Sequence, residues 1–163
     1  MAAEKLIVST LEPVEVGDTF PSLPLHVTLM PWFKIEDKNV RELQGYLRTI
    51  ARKHQKLDLI GQDEAMFGSD HDVRVRILAN EVLQLVHNDI LLAMKWSQAR
   101  CDSEYIDTHY SPHVSFVGND SLPKGEIKEV TAMQLIDRDP ETRTRKVEKI
   151  FGFGVPLKSS IKD

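Results

Sequence analysis

Two short segments constrain the fold more than anything else in the chain: "LHVTL" at 25–29 and "PHVSF" at 112–116. Each carries a histidine, then valine, then a hydroxyl residue, then an apolar residue. On a strand, alternate side chains share a face. His26 and Thr28 therefore project together while Val27 and Leu29 point behind them, and His113 and Ser115 do the same over Val114 and Phe116. The chain needs two strands that each present a polar pair on an apolar backing. If its two halves pack about an approximate two-fold, both pairs face one cleft.

The 163 residues suit one domain with a sizeable core and are too few for two ordinary ones. No Gly/Ser-rich, Pro-rich or charge-block linker interrupts them. The expected organisation is a single domain of two pseudo-symmetric lobes, about 1–80 and 81–157, with a short flexible C-terminal tail. Hydrophobic residues at 41% and charged residues at 28% are those of a globular protein. A formal net charge of −4 argues against a broad basic face for long duplex nucleic acid, while a small phosphorylated ligand or one end of an RNA stays compatible. The single cysteine, Cys101, excludes an internal disulfide and points to a reducing compartment. "MAAEKLIVST" reads as the approach to a strand and not as a signal peptide, and no apolar run approaches a membrane span. A cytoplasmic, monomeric protein without membrane contact is expected.

"KLIVSTLEP" reads as a first strand closed by Pro13, and "VGDTFPSLP" as a loop. After the first motif, Asp37 is placed to cap a helix through "NVRELQGYLRTIARKHQ", apolar at Val40, Leu43, Leu47 and Ile50. "LDLIGQDEAMF" and "VRVRILA" read as strands around the turn-like "GSDHD". Asn80 is placed to cap a second helix, "EVLQLVHNDILLAMKW", apolar at Val82, Leu85, Val86, Ile90 and Leu92 or Ala93. "IKEVTAMQLIDRD" and "TRKVEKIFGFGVPL" then read as a long terminal hairpin around Pro140.

Two imidazoles facing one group are what in-line displacement at phosphorus requires. One takes a proton from the attacking oxygen and the other gives a proton to the leaving oxygen, and an unperturbed imidazole titrates near neutrality, where both jobs are possible. Hydroxyls beside them can donate hydrogen bonds to non-bridging oxygens, where negative charge builds. His26, Thr28, His113 and Ser115 are the candidate catalytic residues, with no metal and no cofactor required. One such motif alone reads as an ordinary strand histidine; two, one per half, do not.

Trp32 shares alternation parity with His26 and can stack on a base at the cleft mouth, although Pro31 disturbs the register and core packing is the competing reading. Tyr110 is a similar, weaker candidate. Arg143, Arg145 and Lys149 alternate along the last hairpin, and Arg74 and Arg76 along an earlier strand; a solvated face explains most such charges, and Arg143 is taken as the substrate contact. His109 and Ser111 read as rim residues beyond Pro112. His54, His71 and His87 have no partner at metal-ligand spacing, and Cys101 reads as incidental.

At "HVTL" and "PHVSF" the chain resembles the two-histidine phosphoesterase superfamily, whose signature is a duplicated His-x-Thr/Ser-x with apolar x. Among its branches it looks most like the 2′-5′ RNA ligase or RNA 2′,3′-cyclic phosphodiesterase type. The order of elements agrees over nearly the whole chain. Ser115 stands where many relatives have threonine, and "FVGND" lacks the arginine that often follows the second motif. The resemblance implies an α+β, bilobal, duplicated fold with concave antiparallel sheets, helices outside and a central cleft. It implies a phosphodiesterase acting on a nucleotide or RNA end, through a 2′,3′-cyclic phosphate or a 2′-5′-linked or cyclic oligonucleotide. The alternatives are a nucleotide or RNA-end binding module with little turnover, or 2′-5′ RNA ligation through the same site.

Overall fold

The structure is a computed structural model that describes residues 2–79 and 81–154. The order begins with β1 (Ala2–Thr10), buried on both faces from Lys5 onward, a two-residue β2 (Thr19–Phe20) and β3 (His26–Glu36), whose start alternates. Helix α1 (Val40–Lys53) follows, then β4 (Leu57–Phe67), β5 (Val73–Leu78) and helix α2 (Glu81–Trp96). A long irregular segment leads to the three-residue β6 (His113–Ser115), and β7 (Ile127–Val130), β8 (Ala132–Arg138) and β9 (Arg145–Gly152) complete the order. Among the described residues the strands form one antiparallel sheet, β2-β9-β8-β1-β3-β6-β5-β4-β7. The architecture is α+β, a curled half-barrel with two helices.

Only Thr131 separates β7, at one edge, from β8, near the other, so the sheet has to curl to bring them together. The expected continuous strand 127–139 is two strands with different partners: β7 pairs with β4, β8 with β1 and β9. Strand β4 also changes partner, from β7 up to Ile60 to β5 from Gly61 onward. A Cβ at Gly61 would come within 2.5 Å of the Pro123 carbonyl oxygen, so the crossing needs glycine.

The strand order departs from the expected lobes 1–80 and 81–157. One side of the sheet gathers β1 and β3 with the chain's last strands, and the other gathers β4 and β5 with β6 and β7. The seam between the sides is the β3–β6 pair. The sequence halves are therefore interleaved in space.

Three of the four apolar backing residues lie where alternation places them, whereas Phe116 is half-buried beside the motif, with the Arg74 guanidinium 3.9 Å over its ring. Val27, Leu29 and Val114 are fully buried in a core shared with Leu43 and Leu47 of α1 and Val86 and Ile90 of α2. Each such side chain contributes roughly 1.5–3 kcal/mol relative to exposure. A smaller cluster on the opposite face, Leu6, Val8, Ile136 and Val147, is covered by Phe20, Leu23 and Trp32.

The helix cap expected at Asp37 does not form. Asp37 opens a 3-10 turn, and α1 starts at Val40 with Asn39 as an N-cap that makes no side-chain bond. Asn80 and the expected tail lie outside the described residues. The buried face of α2 also differs: Leu83, Val86, His87, Ile90, Ala93 and Met94 are buried, whereas Val82, Leu85 and Leu92 are exposed. No described helix is long and apolar enough to cross a membrane.

Candidate active site

Val27 pairs with Val114 across the β3–β6 seam. Antiparallel register then sets His26 opposite Ser115 and Thr28 opposite His113, all four on the face away from the core. Directly opposed side chains lie about 4.5–5.5 Å apart at Cβ and diagonal ones about 7–8 Å. The two imidazoles take one diagonal and the two hydroxyls the other.

Backbone geometry gives the two histidines the same tautomer. The Nδ1 of His26 lies 2.8 Å from the Pro24 carbonyl oxygen, and the Nδ1 of His113 lies 2.8 Å from the Ser111 carbonyl oxygen. A carbonyl only accepts, so each Nδ1 carries the proton and donates, which leaves each Nε2 with a lone pair. Neither Nε2 has a partner among the described residues. Burial lowers both pKa values below the ordinary imidazole value, opposed in part by the carbonyl bonds, and for His26 the neighbouring His113 lowers it further.

The first motif ends in a β-bulge. Thr28 pairs with Val8 and Met30 with Ile7, so Leu29 has no partner on β1. Its carbonyl accepts from Nδ1 of the fully buried His87 at 2.7 Å, and the Asp107 backbone N–H donates to Nε2 of the same ring at 2.9 Å. The Tyr110 ring stacks on His87 with centroids 4.1 Å apart and planes 2° from parallel, and its hydroxyl donates to the Thr28 carbonyl at 2.7 Å. His87 and Tyr110 thus satisfy the carbonyls of both residues at the bulge. Burial pushes the Tyr110 phenol well above its usual range. His113 is braced differently, by the edge-to-face ring of Phe67 at 4.7 Å.

Two cavities flank the four residues. One of about 320 Å³ is lined by His26, Thr28 and Ser115 with Trp32, Leu23 and Arg145. The other, about 260 Å³, is lined by Thr28 and His113 with Phe67, Val73, Tyr105 and Tyr110. It shares Phe67, Gly68, Tyr105 and Ser111 with a wider outer recess of about 570 Å³, where His71 and His109 also lie.

The structure thus brings His26, Thr28, His113 and Ser115 together and distributes the remaining candidates differently. Trp32 is a half-buried wall of the first cavity, with the Arg138 guanidinium 4.1 Å over its ring and Arg138 paired to Glu4 at 3.0 Å. Tyr110 lines the second cavity, but its hydroxyl is committed to the Thr28 carbonyl and one ring face to His87. Arg143 is a correction: it is exposed in the β8–β9 turn at φ 64° and lines neither cavity. Arg145, two residues on, lines the first one, with Nη1 donating to the Pro21 carbonyl at 2.5 Å and the Arg143 carbonyl at 3.2 Å. Phe67, Tyr105 and the supporting role of His87 have no local sequence signal, because each depends on chain brought in from elsewhere. Among the described residues no three His, Cys, Asp or Glu side chains group as metal ligands.

Solved structures share this fold at low identity. A phosphoesterase crystal structure aligns with a TM-score of 0.63 and 15% identity, over 94% of this chain and 99% of that one. The protein TT0787 of Thermus thermophilus aligns at 0.66 with 13% identity, over 93% and 98%. Escherichia coli LigT, solved in complex with 3′-AMP, aligns at 0.61 with 16% identity, over 94% and 99%. The chain therefore has the fold of LigT, TT0787 and this phosphoesterase over nearly its full length. No protein-family model matches the sequence, and no curated protein matches it.

Proposed function

We propose that this chain is a two-histidine phosphoesterase that cleaves or opens a ribonucleotide phosphodiester, with a 2′,3′-cyclic phosphate or a 2′-5′ linkage as the reacting group. The observation that carries the reading is the pair of diagonal imidazoles, each tied through Nδ1 to the carbonyl two residues before it and each with Nε2 unpartnered. In turnover one Nε2 takes the proton of the attacking hydroxyl or water, while the other, protonated, gives its proton to the leaving oxygen. Thr28 Oγ1 and Ser115 Oγ donate to the non-bridging oxygens as charge accumulates there. Acid, base and oxyanion donors thus all come from side chains. The fold shared with LigT and the phosphoesterase supports the same reading.

Burial leaves both rings neutral near pH 7, yet the reaction needs one of them protonated. A bound phosphodiester anion supplies the missing attraction, because a nearby negative charge favours the imidazolium. The free enzyme should then show a bell-shaped kcat/KM profile centred below about pH 6.5, the ordinary imidazole value, with the kcat profile shifted to higher pH. The measurement is hydrolysis of 2′,3′-cyclic nucleotides and of 2′-5′ oligoadenylate across pH, with and without EDTA. Loss of activity in EDTA, or a profile with no acidic limb, would sink the two-histidine mechanism.

A further inference from the structure

The two flanks of the four-residue patch are chemically unlike, and this bears on which substrates fit. Beside His113 the cavity is walled by Phe67, Val73 and the half-exposed ring of Tyr105, with hydroxyls from Ser103 and Ser111. Beside His26 and Ser115 the cavity carries a cation, Arg145. Its Nη1 is held by two backbone carbonyls, which fixes the guanidinium, and its Nε and Nη2 donors have no partner among the described residues. A guanidinium anchored on one nitrogen with a free edge suits a phosphate oxygen pair. An aromatic recess with few polar groups suits a nucleobase face.

Resting on the phosphodiesterase reading, we propose that the substrate lies in one direction across the cleft, with the base of the reacting nucleotide in the Phe67–Tyr105 recess and the next phosphate along the chain on Arg145. The substrate class is then an oligonucleotide carrying the reacting phosphodiester at its end, in preference to a free cyclic mononucleotide. Arg145 is the specificity-determining residue, because only a substrate with a second phosphate reaches it. The cation that the second motif lacks in sequence is supplied from β9.

The test compares kcat/KM for adenosine 2′,3′-cyclic phosphate and for a diadenylate ending in a 2′,3′-cyclic phosphate. The wild type should prefer the diadenylate by about tenfold or more, the scale of one charged hydrogen-bonded contact. In Arg145→Gln that ratio should fall toward one, in Arg145→Lys it should fall partway, and in Arg143→Gln it should stay at the wild-type value. Tyr105→Ala should lower kcat/KM about tenfold on both substrates, mainly through KM. Because Arg145 also anchors Pro21, the readout is the ratio of two substrates on one protein preparation, which partial unfolding does not change. An unchanged ratio in Arg145→Gln, or a wild type without preference, overturns this inference and leaves the phosphodiesterase reading standing. Turnover of neither compound by the wild type removes both.

Discussion

The two His-x-hydroxyl segments reach the same side-chain arrangement from unlike supports. The first sits at the start of the eleven-residue β3, paired with β1 over most of its length, and ends in a bulge whose carbonyls are taken by His87 and Tyr110. The second is a three-residue strand that follows Pro112 and is held between β3 and β5, where His113 pairs with Ile77 and Ser115 with Val75. Common to both are the valine at the seam and the histidine ring bonded to the carbonyl two residues back. The geometry that the chemistry needs is therefore confined to five residues on each side, 24–28 and 111–115. Everything outside that span differs between the two sides.

The largest effects should fall on what the two segments share. His26→Ala and His113→Ala should each lose roughly 10²–10⁴-fold in turnover, the usual worth of a positioned proton-transfer group, in single-turnover hydrolysis of whichever phosphodiester the wild type cleaves best. A histidine whose removal leaves full activity would break the equivalence of the two sides. Next come the hydroxyls: Thr28→Val and Ser115→Ala should each cost about 10²-fold while the melting temperature holds. Ser115→Thr keeps the donor and should keep most activity, and a wild-type rate in both deletions would assign the hydroxyls to solvent.

A smaller effect separates the segments. Tyr110→Phe removes the hydroxyl that satisfies the Thr28 carbonyl and should cost about 1 kcal/mol of stability in denaturant titration; no change there would mean that the bulge is not held by this bond. The smallest effect is in pH. His87 is buried and His26 and His113 are half-buried, and desolvation lowers the pKa of all three, so the folded state favours their neutral forms. Their contribution to stability is present above the ordinary value near pH 6.5 and is lost as pH falls from there through the folded values. Melting temperature should decline over that window, and the His87 share should vanish in a variant that keeps the ring without its charge change, such as His87→Phe if it folds. A melting temperature flat from pH 7 to 5 would refute the linkage.

The motifs were legible in the sequence because strand alternation is local: His26, Thr28 and their buried valine can be read from five residues. Most strands and both helices were legible for the same reason. Partnership was not. "IKEVTAMQLIDRD" contains no glycine or proline to break it, yet its pairing partner changes at Thr131, which no breaker in the segment announces. Helix α2 carries two apolar stripes, one through Val82 and Leu85 and one through Leu83, Val86 and Ile90, and only the sheet beneath it decides between them. Arg143 and Arg145 have equal alternation parity and differ because the chain turns at Arg143 with positive φ, which puts its neighbour but not itself against the cleft.

Interleaving of the strands has a consequence for how the chain can assemble and be divided. Residues 57–130 contain β4, β5, β6 and β7, and these four pair with one another inside that stretch, although Leu57 meets Val130 across the whole of it. Strand β1 instead waits for β8, so that Lys5 meets Asp137 only after most of the chain has been made. Long closures of this kind are slow, because chain entropy is lost before the contact is gained. A fragment ending at residue 80 would leave one edge of β1 unpaired and β3 without its seam, an open template for aggregation and not half a site. The internal repeat that makes the site readable is thus spread over a chain that can only be folded whole.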